Sequence, residues 1–118
     1  MKDQWHLLQE VTAKTCNQIE ASAEVPPDSL WFSGHFPGEP ILPGVALVYL
    51  AEQAIIRQAK ENGEAMSLNA LRKVRFTQPV RPGAKLAVHI SRDDTGAEIV
   101  FSFKIIFQES VVCSGSIS

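Results

Sequence analysis

A chain of 118 residues with 45% hydrophobic content has the material for one ordinary domain with a real core and no room for a second. Its 11 basic and 13 acidic residues leave a formal charge of -2, which excludes a global field that would draw in nucleic acid or an anionic membrane. A charged partner must be met by a local patch.

The first ten residues are ambiguous, but they lack the long apolar core of a secretion signal, and a cytoplasmic protein is expected. Cys16 and Cys113 fit no metal-ligand spacing and read as reduced core thiols. Residues 11–23 are β-tolerant and partly alternating, which predicts a strand. Pro26, Pro27, Asp28 and Ser29 then supply turn chemistry that ends it.

Residues 32–45 read FSGHFPGEPILPGV and hold three prolines, three glycines and one histidine. Pro37, Pro40 and Pro43 fix three φ angles, so this loop has lost much of its freedom before folding, as a preorganised site requires. His35 can simply bond a carbonyl in a rigid turn; it can also serve as a base. Gly44 opens the following helix, whose N-terminus presents unpaired N–H groups and a partial positive charge. With no side chain in the way, the Gly44 N–H can reach a ligand carbonyl, and a neutral histidine nearby suits proton abstraction next to that carbonyl.

Residues 45–59 read VALVYLAEQAIIRQA, rich in helix formers, with Gly63 as the expected stop. The first half is apolar on every side, which predicts enclosure, and Arg57, Lys60 and Glu61 mark an end that emerges into water. The longest apolar stretch, residues 41–51, is broken by Pro43 and falls short of the roughly 20 residues that span a bilayer. Beyond Leu68 the pattern changes to period two, predicting strands at 71–76, 86–91, 98–108 and 111–117. The turns at Pro82-Gly83, 93–96 and Glu109-Ser110 predict a four-stranded meander. One long helix and an antiparallel sheet imply an α+β domain in which the sheet wraps the helix. Such a sheet leaves an open edge, and pairing two copies is a common remedy, so at least a homodimer is expected.

The stretch GHFPGEPILPGV resembles the signature of the hotdog-fold β-hydroxyacyl-acyl carrier protein dehydratases, and VRFTQPVRPGAKL, residues 74–86, resembles that family's second stretch. The resemblance implies a single hotdog domain over residues 1–118 that dimerises around a shared acyl tunnel. His35 would be the base and Gly44, nine positions later, would bind the thioester carbonyl. The substrate would be a β-hydroxyacyl chain on a carrier protein's phosphopantetheine arm, with no other cofactor and no metal, losing water to give a trans-2-enoyl product in fatty-acid or specialised lipid synthesis. Phe36, Pro43 and Val45 would line the substrate site, with Gln53 as an orienting or interface group.

One position departs from the family. Fourteen residues after His35, where its members carry a glutamate or aspartate, stands Tyr49. Glu52 shares the same helix face one turn on, so Glu52, Tyr49 itself or a bound water are the candidate proton donors. A member without catalysis, acting as an acyl-thioester binder or as the inactive half of a heteromeric dehydratase, is the second reading, and thioester hydrolysis the third. Arg72, Lys73, Arg75, Arg81 and Lys85 concentrate basic charge for an acidic carrier protein, with Arg81 first choice for the phosphate; the same charges also suit a solvated sheet edge.

Overall fold

A computed structural model describes residues 7–15, 17–26 and 41–118. Six strands, β1 (Leu8–Thr15), β2 (Gln18–Glu24), β3 (Leu71–Phe76), β4 (Lys85–Asp93), β5 (Val100–Phe107) and β6 (Ser110–Ile117), form one antiparallel sheet in the order β1-β2-β4-β5-β6-β3. The 18-residue helix α1 (Gly44–Glu61) packs against β1, β2, β4 and β5.

The period-two pattern does what it predicts. Ile19, Ala21 and Ala23 of β2, Leu86, Val88 and Ile90 of β4, and Phe101, Phe103 and Ile105 of β5 are buried on the helix side. Register joins them into continuous layers across the sheet: Ala21 faces Val88, Val88 faces Ile105, and Ile105 faces Cys113. The next layer runs Ile19, Ile90, Phe103 and Gly115. A Cβ at Gly115 would lie 3.0 Å from Val74 Cγ2 and 3.1 Å from Phe103 Cζ, so the missing side chain leaves room for the ring. From the other side come Ala46, Leu47, Leu50, Ala51, Ala54 and Ile55 of α1, at the four-and-three spacing of one helix face. Gly63, at φ 72, ends the helix as expected: its N–H donates to Lys60 O and that of Glu64 to Ala59 O.

Three expectations are corrected. The single strand over 11–23 is a hairpin of β1 and β2, with Thr15 opposite Gln18. Thr15 Oγ1 donates to Asn17 Oδ1 at 2.8 Å, so side-chain bonds support the reversal without the glycine or proline that would have announced it. The meander holds only for β4, β5 and β6. Because β2 occupies the other side of β4, β3 is carried to the far edge beside β6, and residues 77–84 become a crossing rather than a hairpin turn. That crossing is pinned where Leu42 N–H donates to Val80 O at 2.7 Å and Gly83 N–H to Val25 O at 2.7 Å. Lastly, the first half of α1 is not wholly enclosed: Val48, Tyr49, Glu52 and Gln53 are half-buried and Val45 is exposed.

The turn between β5 and β6 sits one residue earlier than its sequence suggests, at Gln108 (φ 48) and Glu109 (φ 68), with Phe107 facing Ser110. Two consecutive left-handed residues match the twist of a tight hairpin, but neither is the asparagine or glycine that adopts this backbone easily, and each such residue costs about 1–2 kcal/mol. Replacing them by Gln108→Asn with Glu109→Gly is therefore expected to raise stability by about 1 kcal/mol, read as a higher urea midpoint at unchanged m-value. A lower midpoint would contradict this turn geometry.

Candidate active site

Pro43 precedes α1 with φ -63 and ψ 146, and no side chain caps the first turn, which also lacks an acidic residue. The partial positive charge of this helix end is thus not neutralised by a cap among the described residues. Gly44 is the first helical residue, and the Phe76 ring lies over it: a Cβ there would sit 2.7 Å from Phe76 Cζ, so a side chain at this position would have to displace the ring. The crossing 77–84 brings Phe76, Pro79 and Val80 to this end of the helix, where with Ile41, Leu42 and Val45 they enclose a mouth of about 570 Å³. Val45 at 63% exposed and Phe76 at 52% leave an apolar surface open around it.

His35 and Phe36 lie outside the described residues. Gly44 and Val45 line the mouth directly, and Pro43 is the residue that starts the helix beside it. Tyr49 follows Gly44 by about 7.5 Å along the helix axis and Glu52 by about 12 Å. Glu52 occupies a recess of its own of about 210 Å³, with Val48, Leu68, Leu71 and Ile117. Within one chain, then, the structure separates Glu52 from the Gly44 mouth. Gln53 is half-buried one turn beyond Tyr49, on the same side of the helix.

The basic residues do not form one patch. Arg81 and Lys85 are exposed around a recess of about 500 Å³ that shares Gln78 and Pro79 with the mouth. Lys73 and Arg75 instead lie in a groove on the outer face of the sheet with His89 and Lys104, and Arg72 reaches Glu98 at 3.7 Å. The alternation of β3 and the sheet crossing divide what is contiguous in sequence. Arg81 stays beside the mouth.

Phe76 is a mouth-lining residue that the sequence reading did not single out. Its parity with Val74, which packs toward Gly115 on the helix side, was the available signal; the crossing that swings it over Gly44 was not visible. Cys113 plays no nucleophilic part: it is fully enclosed, and burial pushes its thiol up to about 11.

Comparison with known proteins bears on this arrangement. The profile of the ApeI-like family, described as ApeI dehydratase, matches residues 10–116. The 3-hydroxyacyl-[acyl-carrier-protein] dehydratase FabZ of Novosphingobium aromaticivorans is 31% identical over 115 residues, covering 91% of this chain and 73% of that protein. FabZ of Lactobacillus helveticus is 32% identical over 96 residues, covering 75% of this chain, and the chain spans 63% of that relative's length. Among solved structures, the dehydratase heterocomplex ApeI:P from Xenorhabdus doucetiae matches with a TM-score of 0.70 at 22% identity, covering 100% of this chain and 97% of that one. The uncharacterized protein PH1136 from Pyrococcus horikoshii matches with a TM-score of 0.73 at 22% identity, over 99% and 89% of the two chains. With the family profile running nearly end to end and the fold shared with these neighbours, the chain belongs to the FabZ/ApeI-like dehydratases of the hotdog fold.

Proposed function

We propose that this protein dehydrates β-hydroxyacyl thioesters carried on an acyl carrier protein, giving trans-2-enoyl thioesters in fatty-acid or specialised lipid biosynthesis. The observation that carries this reading is the uncapped start of α1 opening, at Gly44, into an apolar mouth. There the Gly44 N–H binds the thioester carbonyl oxygen and stabilises the negative charge that develops on it. His35 removes the proton from the α-carbon; the electron pair of that C–H bond becomes the new double bond as the β-carbon–oxygen bond breaks. The departing hydroxyl takes a proton from an acid and leaves as water. The apolar walls formed by Val45, Phe76 and Val80 suit an acyl chain, and Arg81 with Lys85 beside them suits the phosphate of the phosphopantetheine arm.

Tyr49 lies about 7.5 Å and Glu52 about 12 Å from Gly44 along the helix, and neither lines the mouth, so either serves as the acid where a second copy presents it. Such a copy is supported by the half-buried stripe of Val48, Tyr49, Glu52, Gln53 and Ile56 on α1, and by β3, which among the described residues pairs on one side alone. Tyr49 in the carboxylate's position also favours a second reading, a non-catalytic half that pairs with an active relative; the similar ApeI:P structure is itself a heterocomplex.

Purified protein should hydrate a trans-2-enoyl thioester on carrier protein, and His35→Ala should lower that rate by about 10²–10⁴. Turnover no higher than in this variant would support the non-catalytic reading. Of Tyr49→Phe and Glu52→Gln, the one that removes the acid should lower kcat by about 10²–10⁴ and the other should change it by less than about threefold. Neither having an effect would make water the donor. Equilibrium sedimentation should give the mass of a homodimer, and a monomer at assay concentration would count against a shared site.

A further inference from the structure

We propose that the outer face of the sheet carries a second binding site, for a compact multivalent oxyanion of the phosphate class. The site is a groove of about 680 Å³ over β4, β5, β6 and β3, on the side away from α1. It shares no residue with the Gly44 mouth or with the recess at Arg81 and Lys85. The proposal therefore stands apart from the dehydratase reading.

Register builds the groove from two adjacent cross-strand rows. In one, His89 faces Lys104, Lys104 faces Ser114 and Ser114 faces Arg75. In the next, Ser91 faces Ser102 and Ser102 faces Ser116. Short serines beside long basic side chains leave a trough supplied with hydroxyl donors and edged by cations. At about 4.8 Å between strands, His89 and Arg75 stand about 14 Å apart along the row, with Lys104 between them. Lys73 lines the groove beside Arg75, at a bulge where Lys73 and Val74 of β3 stand against Gly115 alone. Its backbone takes φ 55, a left-handed conformation that lysine adopts only at a cost.

Charge sets the sign of the ligand. No aspartate or glutamate lines the groove, and among the described residues Lys73, Arg75 and Lys104 form no ion pair. The carboxylates near it are engaged elsewhere: Glu20, opposite His89 on β2, with Lys14 at 3.5 Å, and Glu98 with Arg72 at 3.7 Å. Cations gathered on one face repel one another, and an anion laid among them removes that cost. A single ligand reaches Lys104 and Arg75 together only if it carries several charges, and phosphate oxygens accept from hydroxyl, ammonium and guanidinium alike. A nucleic acid strand fits less well, because no exposed aromatic side chain stands in the groove for a base to stack on; Phe103 is 1% exposed.

Tripolyphosphate is the probe, with ATP beside it to tell a free polyphosphate from the phosphates of a nucleotide. Titrated at constant ionic strength into the full ¹⁵N-labelled chain, tripolyphosphate is expected to give saturable shifts at Ser102, Lys104, Ser114 and Ser116 and none at the Gly44 mouth. ATP binding as tightly would mark a nucleotide as the source, and weaker ATP binding a free polyphosphate. Lys104→Gln and Arg75→Gln, both at exposed positions, should each weaken tripolyphosphate by about fivefold or more. Lys60→Gln removes the same charge at the end of α1 and should change the affinity by less than about twofold. Absence of saturation, equal losses in all three variants, or tighter binding of a single-stranded oligonucleotide or of acidic carrier protein at these residues would overturn the proposal.

Discussion

Everything else in this molecule depends on how closely α1 lies on the sheet. Ala46, Ala51 and Ala54 on the helix and Ala21 and Ala23 on β2 are all buried, and such small side chains let the helix approach while Phe101, Phe103 and Ile105 fill the deeper layers beneath it. Were one of those alanines enlarged, the helix would have to lift, and both of its ends would move from their neighbours. The same close packing delivers the start of α1 to the crossing 77–84 and its last turns to the β1–β2 hairpin.

The two ends are electrostatic opposites and are finished differently. At the start, Pro43 sets the backbone but offers no capping side chain, so the amides of the first turn keep their pull on negative charge. At the finish, Gly63 turns the chain back and Glu64 meets Arg92. The Arg92 guanidinium holds the Glu64 carboxyl below the usual carboxylate range. A depressed carboxyl contributes to stability above its unfolded value and loses that contribution as pH falls through the folded one, so this clasp is closed across neutral pH. One end thereby keeps an uncapped attraction for negative charge. The other end is shut around a neutral pair.

How much of this was legible in the sequence depended on whether the signal was local. Period two located β3, β4, β5 and β6 to within about two residues, since alternation is a property of each strand alone. Helix propensity and Gly63 did the same for α1. The β1–β2 hairpin was hidden because its turn is made by Thr15 and Asn17 side chains rather than by glycine or proline. Strand order was hidden because pairing across the sheet is non-local: nothing within residues 77–84 says that β2 has already taken the place beside β4. Phe76 against Gly44 is a product of that order and shares its invisibility. The Gly44 half of the candidate site was readable from the helix start; the His35 half lies outside the described residues.

The question of the acid and the question of assembly are one question. Helix α1 has a buried stripe, Ala46, Leu47, Leu50, Ala51, Ala54, Ile55, Gln58 and Ala59, and a half-open stripe with Val48, Tyr49, Glu52, Gln53 and Ile56. Both candidate donors sit on the second. A carboxyl keeps its proton near neutral pH only when something removes it from water, and a phenol donates well only to an oxygen held against it. Under the proposed function, a second copy or a relative packed there would set the environment of Tyr49 and Glu52. On that reading the partner would decide whether the Gly44 mouth is matched by an acid or only binds.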